Sequence, residues 1–201
     1  IGKYLSSQSQ QGGSGSTTLP AYSTMKQQLN KQEVKVENTI RSPRIEKVLL
    51  SCGATGDDLT KAKKLLDLIS QRKAQIIASQ KRIPDFGVRP GLEVGTRVTL
   101  RGKEAVTLLL RLLGAVDNLL KKKQVSDNHF SFGIHEYIEI PGTEYQRDIG
   151  IRGLNVTVVF SRKGLRVTNK KRKSAHLPKK QNVTAQEIIK YMEDHFKTKF
   201  K

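Results

Sequence analysis

Three observations predict an α+β fold, a single mixed sheet with helices packed on one face. Short β-branched runs end at Gly or Pro and have strand length. Other segments place apolar residues at helical spacing. The two kinds of segment follow one another in irregular order, with no internal repeat, which excludes a regular alternation of strand and helix.

Each element follows from local chemistry. Residues 1–40 form a Ser/Gln/Gly-rich extension, centred on Gln10-Gln11-Gly12-Gly13-Ser14-Gly15-Ser16, too polar to order itself alone. A short helix is possible at 24–31. A folded domain is expected over 41–201. Its first strand is Arg44-Ile45-Glu46-Lys47-Val48-Leu49-Leu50-Ser51-Cys52, starting after Pro43 and stopping at Gly53. Asp57-Asp58 opens a helix with Leu59, Ala62, Leu65, Leu66 and Ile69 on its apolar face. A second strand is expected over 74–79. The prolines and glycines of 81–91 oppose regular structure. A third strand follows at 93–101, then an amphipathic helix from Lys103 to Leu120. Residues 130–134 and 137–140 are strand-like, and 155–161 is β-branched enough for a central strand. Thr184 and Glu187 form a possible capping box at the start of a last helix carrying Ile188, Ile189, Met192 and Phe196.

Charge bounds the partners. The 201 residues hold 37 Lys plus Arg against 18 Asp plus Glu, a net charge of +19. Such an excess, spread from Arg41 to Lys173, calls for a polyanion: nucleic acid first, an anionic membrane second. The longest apolar run, from Val106 to Leu113, is too short to span a bilayer. A peripheral membrane protein would need a basic amphipathic helix, and the 103–120 helix has few cations on its polar face. Cys52 is the sole cysteine, which excludes an intramolecular disulfide and a cysteine-rich zinc site and fits a reducing compartment.

Four constellations could carry chemistry. The turn Ser51-Cys52-Gly53-Ala54-Thr55-Gly56 leads into a helix, whose first N–H groups favour phosphate oxygens. It lacks the lysine of a P-loop and the third glycine of a dinucleotide fingerprint, so it serves equally as an ordinary strand-to-helix turn. The loop from Lys81 to Gly95 sets Lys81, Arg82, Arg89 and Arg97 around Phe86, with Gly91 allowing close approach. Its aromatic either stacks on a base or folds into the core. His129 and His135, near Asp127 and Glu136, would suit a metal-dependent nuclease, but their spacing matches no metal motif. The fourth is the basic segment from Arg162, with Lys163, Arg166, Lys170, Lys171, Arg172 and Lys173. Such runs are usually solvated; against RNA they would add a salt-dependent attraction through counterion release. No pattern for covalent catalysis and no cofactor motif is present.

Taken together, the ordered segments resemble the universal large-subunit ribosomal protein L-five family. Arg44-Ile45-Glu46-Lys47-Val48 before a glycine turn is similar to its first strand. Phe86-Gly87-Val88-Arg89-Pro90-Gly91-Leu92-Glu93-Val94-Gly95 resembles its Phe-x-Ile-Arg-x-Gly-x-x-Ile-Gly. Phe130-Ser131-Phe132-Gly133-Ile134-His135-Glu136 and Ile149-Gly150-Ile151-Arg152-Gly153-Leu154-Asn155 follow in family order. The last stretch and the basic segment look more like the archaeal and eukaryotic branch than the bacterial one.

The resemblance implies a sheet of about five strands and a structural, non-enzymatic role in the cytoplasmic ribosome. It implies binding of 5S rRNA and large-subunit rRNA in the central protuberance, beside neighbouring ribosomal proteins, with 5S contacts at Arg44, Ser51, Gly53 and Thr55. It implies that Lys81, Arg82, Phe86, Arg89 and Gly91 face peptidyl-site tRNA. The region from Phe130 to Asp148 would approach the small-subunit head as a bridge. The chain departs from the family turn Asn-x-Gly-Val-Gly in having Ser51 and Thr55, and it has Arg152 where Tyr is common. A free RNA chaperone or assembly factor on the same fold is the alternative, and an RNA-processing enzyme using the histidines is a further rival.

Overall fold

The computed structural model of the chain describes residues 40–201. The extension, apart from its last residue, and the short helix expected at 24–31 lie outside the described residues. Strand β1 (Arg44–Gly53), helix α1 (Asp57–Ser70), β2 (Gln75–Ala78) and β3 (Glu93–Leu100) come first. They are followed by α2 (Lys103–Gly114), β4 (Leu119–Leu120), β5 (Val125–Ser126), β6 (His129–Ile134) and β7 (Leu154–Ser161). The chain closes with the short α3 (Arg166–Asn169), α4 (Ala185–Phe196) and β8 (Lys199–Phe200).

Six strands form the main sheet in the order β2-β3-β1-β7-β6-β5, one more than the resemblance implies, because β5 adds a two-residue edge. Every pairing in it is antiparallel. Strand alternation divides this sheet into two unlike faces. Val48, Leu50, Cys52, Val98, Leu100, Phe130, Phe132, Val156, Val158 and Phe160 all point to one side and are buried. Helices α1 and α2 pack on β1 there, and α4 closes the far end. Phe130 lies 6.0 Å from Phe132 and 5.9 Å from Phe160 between ring centroids, and Tyr191 of α4 meets Phe160 edge-on at 5.6 Å. Pairs of this kind contribute about 0.5–1.5 kcal/mol each beyond area burial, and the Tyr191–Phe160 pair is the one that fastens α4 to the sheet.

Helix ends are set by recognisable residues. Gly56, at φ 62, turns the chain into α1, and Gln71 ends that helix in a left-handed conformation. The capping box of α4 forms as the spacing predicts: Thr184 Oγ1 accepts from the Glu187 amide at 3.5 Å, and Glu187 accepts from the Thr184 amide at 3.3 Å. Helix α2, by contrast, stops at Gly114, six residues before the expected end at Leu120. Asp117 and Asn118 follow at φ 52 and 56. Both residue types tolerate the left-handed region, and two in succession reverse the chain. β4 then pairs parallel with β8 in a separate two-stranded sheet.

Residues 137–139 are a further correction: a 3-10 turn, not a strand. Tyr137 is fully buried, and its hydroxyl accepts the Gln146 amide at 2.8 Å. Thr143 Oγ1 donates to the Tyr137 and Ile140 carbonyls, each at 2.7 Å. A buried aromatic anchored at both ends turns an apparently extended run into a knot.

Candidate nucleic-acid interface

None of the described long helices packs on the second face of the sheet, and its register builds a polar surface. Gln75 pairs with Arg97, Arg97 with Ser51, Ser51 with Asn155, and Asn155 with Gly133. One row thus crosses five strands, and all five residues point away from the core. The next row runs Thr99, Leu49, Thr157, Ser131; a third holds Lys47, Val159 and His129. These rows contain cations, hydroxyls and amides but no carboxylate. Arg97 makes no ion pair among the described residues.

Of the residues expected at 5S rRNA, Ser51 and Gly53 belong to this face. Arg44 lies at the other end of β1, about 20 Å from Ser51 at strand rise, so the four do not form one cluster. Thr55 is exposed in the turn. The turn read as a phosphate site or an ordinary strand-to-helix turn also carries two acids. Asp57 and Asp58 fill the first turn of α1 and already complement the helix dipole. Asp58 pairs with Arg152 and lies 3.8 Å from Lys61. A phosphate at that helix end would meet two carboxylates.

Arg152 thereby ties the turn to the segment before β7. Beside it, the Cys52 thiol donates to the Gly153 carbonyl at 3.4 Å. Burial pushes that thiol up, against the opposing pull of the Arg152 charge, which suits a packed side chain rather than a nucleophile.

Lys81, Arg82, Phe86, Arg89 and Gly91 do come together, on one ordered loop between β2 and β3. Ile83 and Val88 exchange backbone hydrogen bonds at 2.9 and 3.0 Å, closing a 3-10 turn over Pro84–Phe86. Gly87 at φ 63 and Gly91 at φ 86 supply the two left-handed positions this tight path requires. Phe86 stands 79% exposed at the tip, which decides between the two sequence alternatives: its ring is outside the core. Cations on both flanks and an aromatic held in water make a platform for stacking on a base.

The basic segment divides. Lys163, Arg166, Lys170, Lys171, Arg172 and Lys173 are exposed and make no ion pair among the described residues. Arg162 is the correction: it is 7% exposed, and its Nη2 donates to both Glu187 oxygens at 2.8 and 2.6 Å. It ends β7 and braces α4, so its charge is used inside the fold. Removing one partner of a buried pair costs about 3–5 kcal/mol, less where one side is wet. Glu187 is partly exposed, so Glu187→Ala should destabilise by about 2 kcal/mol, lowering Tm by about 4–8 °C in a thermal melt.

The region from Phe130 to Asp148 combines strand β6 with the Tyr137 knot and presents Ile138, Tyr145 and Arg147 outward. His129 and His135 sit at opposite ends of β6, about 20 Å apart. Among the described residues no three His, Cys, Asp or Glu side chains gather as a metal set. No described helix is long and apolar enough to cross a membrane.

Sequence reasoning missed Gln75, Asn155, Thr157 and Ser131. Their alternation with buried neighbours was visible strand by strand, but the rows exist only once the register is known.

Comparison with known proteins identifies the family. The family described as the ribosomal L5P family C-terminus matches residues 93–191. A large ribosomal subunit protein uL5 from Archaeoglobus fulgidus is 35% identical over 78% of this chain and 89% of its own length. Its counterpart from Sulfurisphaera tokodaii is 37% identical, covering 82% of this chain and 95% of its own. One from Methanococcus maripaludis is 38% identical over 83% and 96%. The chain belongs to the ribosomal L5P family, the uL5 proteins of the large ribosomal subunit.

Proposed function

We propose that this protein is a structural, non-catalytic constituent of the large subunit in the cytoplasmic ribosome, and that it binds 5S rRNA and large-subunit rRNA in the central protuberance. The observation that carries the reading is the Gln75–Arg97–Ser51–Asn155–Gly133 row. RNA helices present a wide, shallow minor groove lined with 2′-hydroxyls, read by shape and by polar side chains rather than by inserted helices. A strand surface with short hydroxyl and amide side chains suits that groove, and Arg97 and Lys47 supply phosphate contacts that fix position. Exposed Lys170 to Lys173 add salt-dependent attraction to rRNA.

The loop tip has a separate task in this reading: Phe86 and Arg89 approach peptidyl-site tRNA, while the 130–148 region faces proteins of the small-subunit head. The relatives' name, large ribosomal subunit protein uL5, supports residence in the subunit. Arg89→Ala should weaken tRNA retention at the peptidyl site about tenfold, the cost of one charge-assisted contact, with 5S rRNA incorporation unchanged. Toe-printing and subunit composition check the two effects, and equal loss of both would contradict the division of labour.

Crosslinking in cells followed by sequencing of the bound RNA tests the whole reading. Recovery of 5S rRNA with adjoining large-subunit rRNA is expected; recovery dominated by unrelated transcripts would contradict it. A free chaperone on the same fold would leave mature subunits in a high-salt wash, whereas a resident protein stays bound.

A further inference from the structure

A cleft lined by cationic side chains lies where β7 ends. Arg41, just ahead of β1, and Lys180, in the 3-10 turn Lys179–Gln181, line one cleft of about 240 Å³ with Ile40, Arg162, Pro178 and Gln181. Among the described residues no Asp or Glu lines it. The exposed side chains of Arg41 and Lys180 have no ion pair among the described residues. Two like charges on one small cleft repel each other, and an anion seated between them relieves that repulsion.

The cleft is also held in shape. Arg162 Nη1 donates to the Lys180 carbonyl at 3.4 Å, and Gln181 Nε2 donates to the Lys163 carbonyl at 3.3 Å. These two bonds pin the turn bearing Lys180 to the end of β7. Glu187 takes most of the Arg162 charge, but its Nε is sealed from solvent without a partner, leaving the guanidinium incompletely matched.

We propose that this cleft is an oxyanion site that seats one phosphodiester of a bound RNA backbone, shared by Arg41 and Lys180. The site's existence follows from its own geometry; only the source of the phosphate rests on the RNA-binding reading. Nothing in that reading requires residues 41 and 180 to act together.

Two arms test it with the full chain. In the first, inorganic phosphate is titrated while Arg41, Lys180 and Gln181 are followed by NMR. Saturable shifts there, larger than those at Lys171 and Arg172 and absent from the Arg41→Ala/Lys180→Ala double variant, are expected. Shifts no larger than at the solvated run would overturn the site. In the second, affinity for a 5S rRNA transcript is measured against salt for the wild type, both single variants and the double variant. One shared phosphate predicts that each single variant, whose remaining cation still neutralises it, keeps most of the slope, while the double variant loses about 0.7–0.9 in log K against log salt. A double variant losing twice as much, or no variant losing any, would overturn the shared phosphodiester. If the wild-type chain binds no RNA, the family function fails, while the phosphate titration still decides the site. Both side chains are exposed, so thermal melts of the variants should match wild type.

Discussion

Replacing Arg97 by Glu should reduce affinity for 5S rRNA about 100-fold while leaving the thermal melt unchanged. Arg97 is exposed in the middle of the open row, flanked by Gln75 and Ser51, and holds no ion pair among the described residues that the change would break. A hydrogen bond to a charged group contributes about 1.5–3 kcal/mol, and a carboxylate in its place adds repulsion from the RNA backbone. Arg97→Lys keeps the charge but loses the planar fork, so it should fall between the two. Filter binding at fixed salt measures all three. Wild-type affinity in Arg97→Glu would move the RNA contact off this face.

The largest effect on folding is expected at Gly153. A Cβ there would stand 2.8 Å from both the Ile134 and His135 carbonyl oxygens. Neither is a flexible side chain: both belong to the backbone where β6 runs into the Tyr137 knot. Tyr137 itself donates its amide to the Arg152 carbonyl at 3.1 Å, so the two segments are tied on either side of the glycine. Forcing a methyl into such a site costs about 1–3 kcal/mol or more. Gly153→Ala should lower Tm by about 5–10 °C. Gly53→Ala, whose Cβ would meet nothing within 4 Å, is the control and should melt close to wild type. A Gly153→Ala melt equal to that control would mean that the 134–135 backbone yields freely.

Where the sequence was legible, a local rule was enough. Proline and glycine bounded β1, the Thr184–Glu187 spacing capped α4, and β-branching marked 155–161 as a central strand, as β7 is. Failures came where distant partners overrode local pattern. Apolar periodicity continued past Gly114, yet pairing of β4 with β8, some eighty residues later, turned Leu119 and Leu120 into a strand. Tyr137 and Ile138 looked extended, but the Tyr137 hydroxyl found the Gln146 amide. Arg162 was indistinguishable in composition from Lys163 until Glu187 folded against it. The candidate interface was half legible: the loop around Phe86 is contiguous in sequence, so its cations could be grouped by inspection. The open row draws one residue from each of five strands, and register between strands leaves no trace in a single chain. The Asp57-Asp58 pair was readable as a helix start, and its ion pair with Arg152, nearly a hundred residues later, became visible only in the fold.

The measurement that bears most directly on the central claim is competition binding of the full chain at about 0.15 M salt, where exposed charges more than about 8 Å apart are largely screened. A 5S rRNA transcript is set against tRNA and a random duplex of equal length. An open polar face shaped for one folded RNA predicts a preference for the 5S transcript of at least about tenfold, lost in Arg97→Glu. Equal affinity for all three, unaffected by that substitution, would show a merely cationic protein and contradict the account.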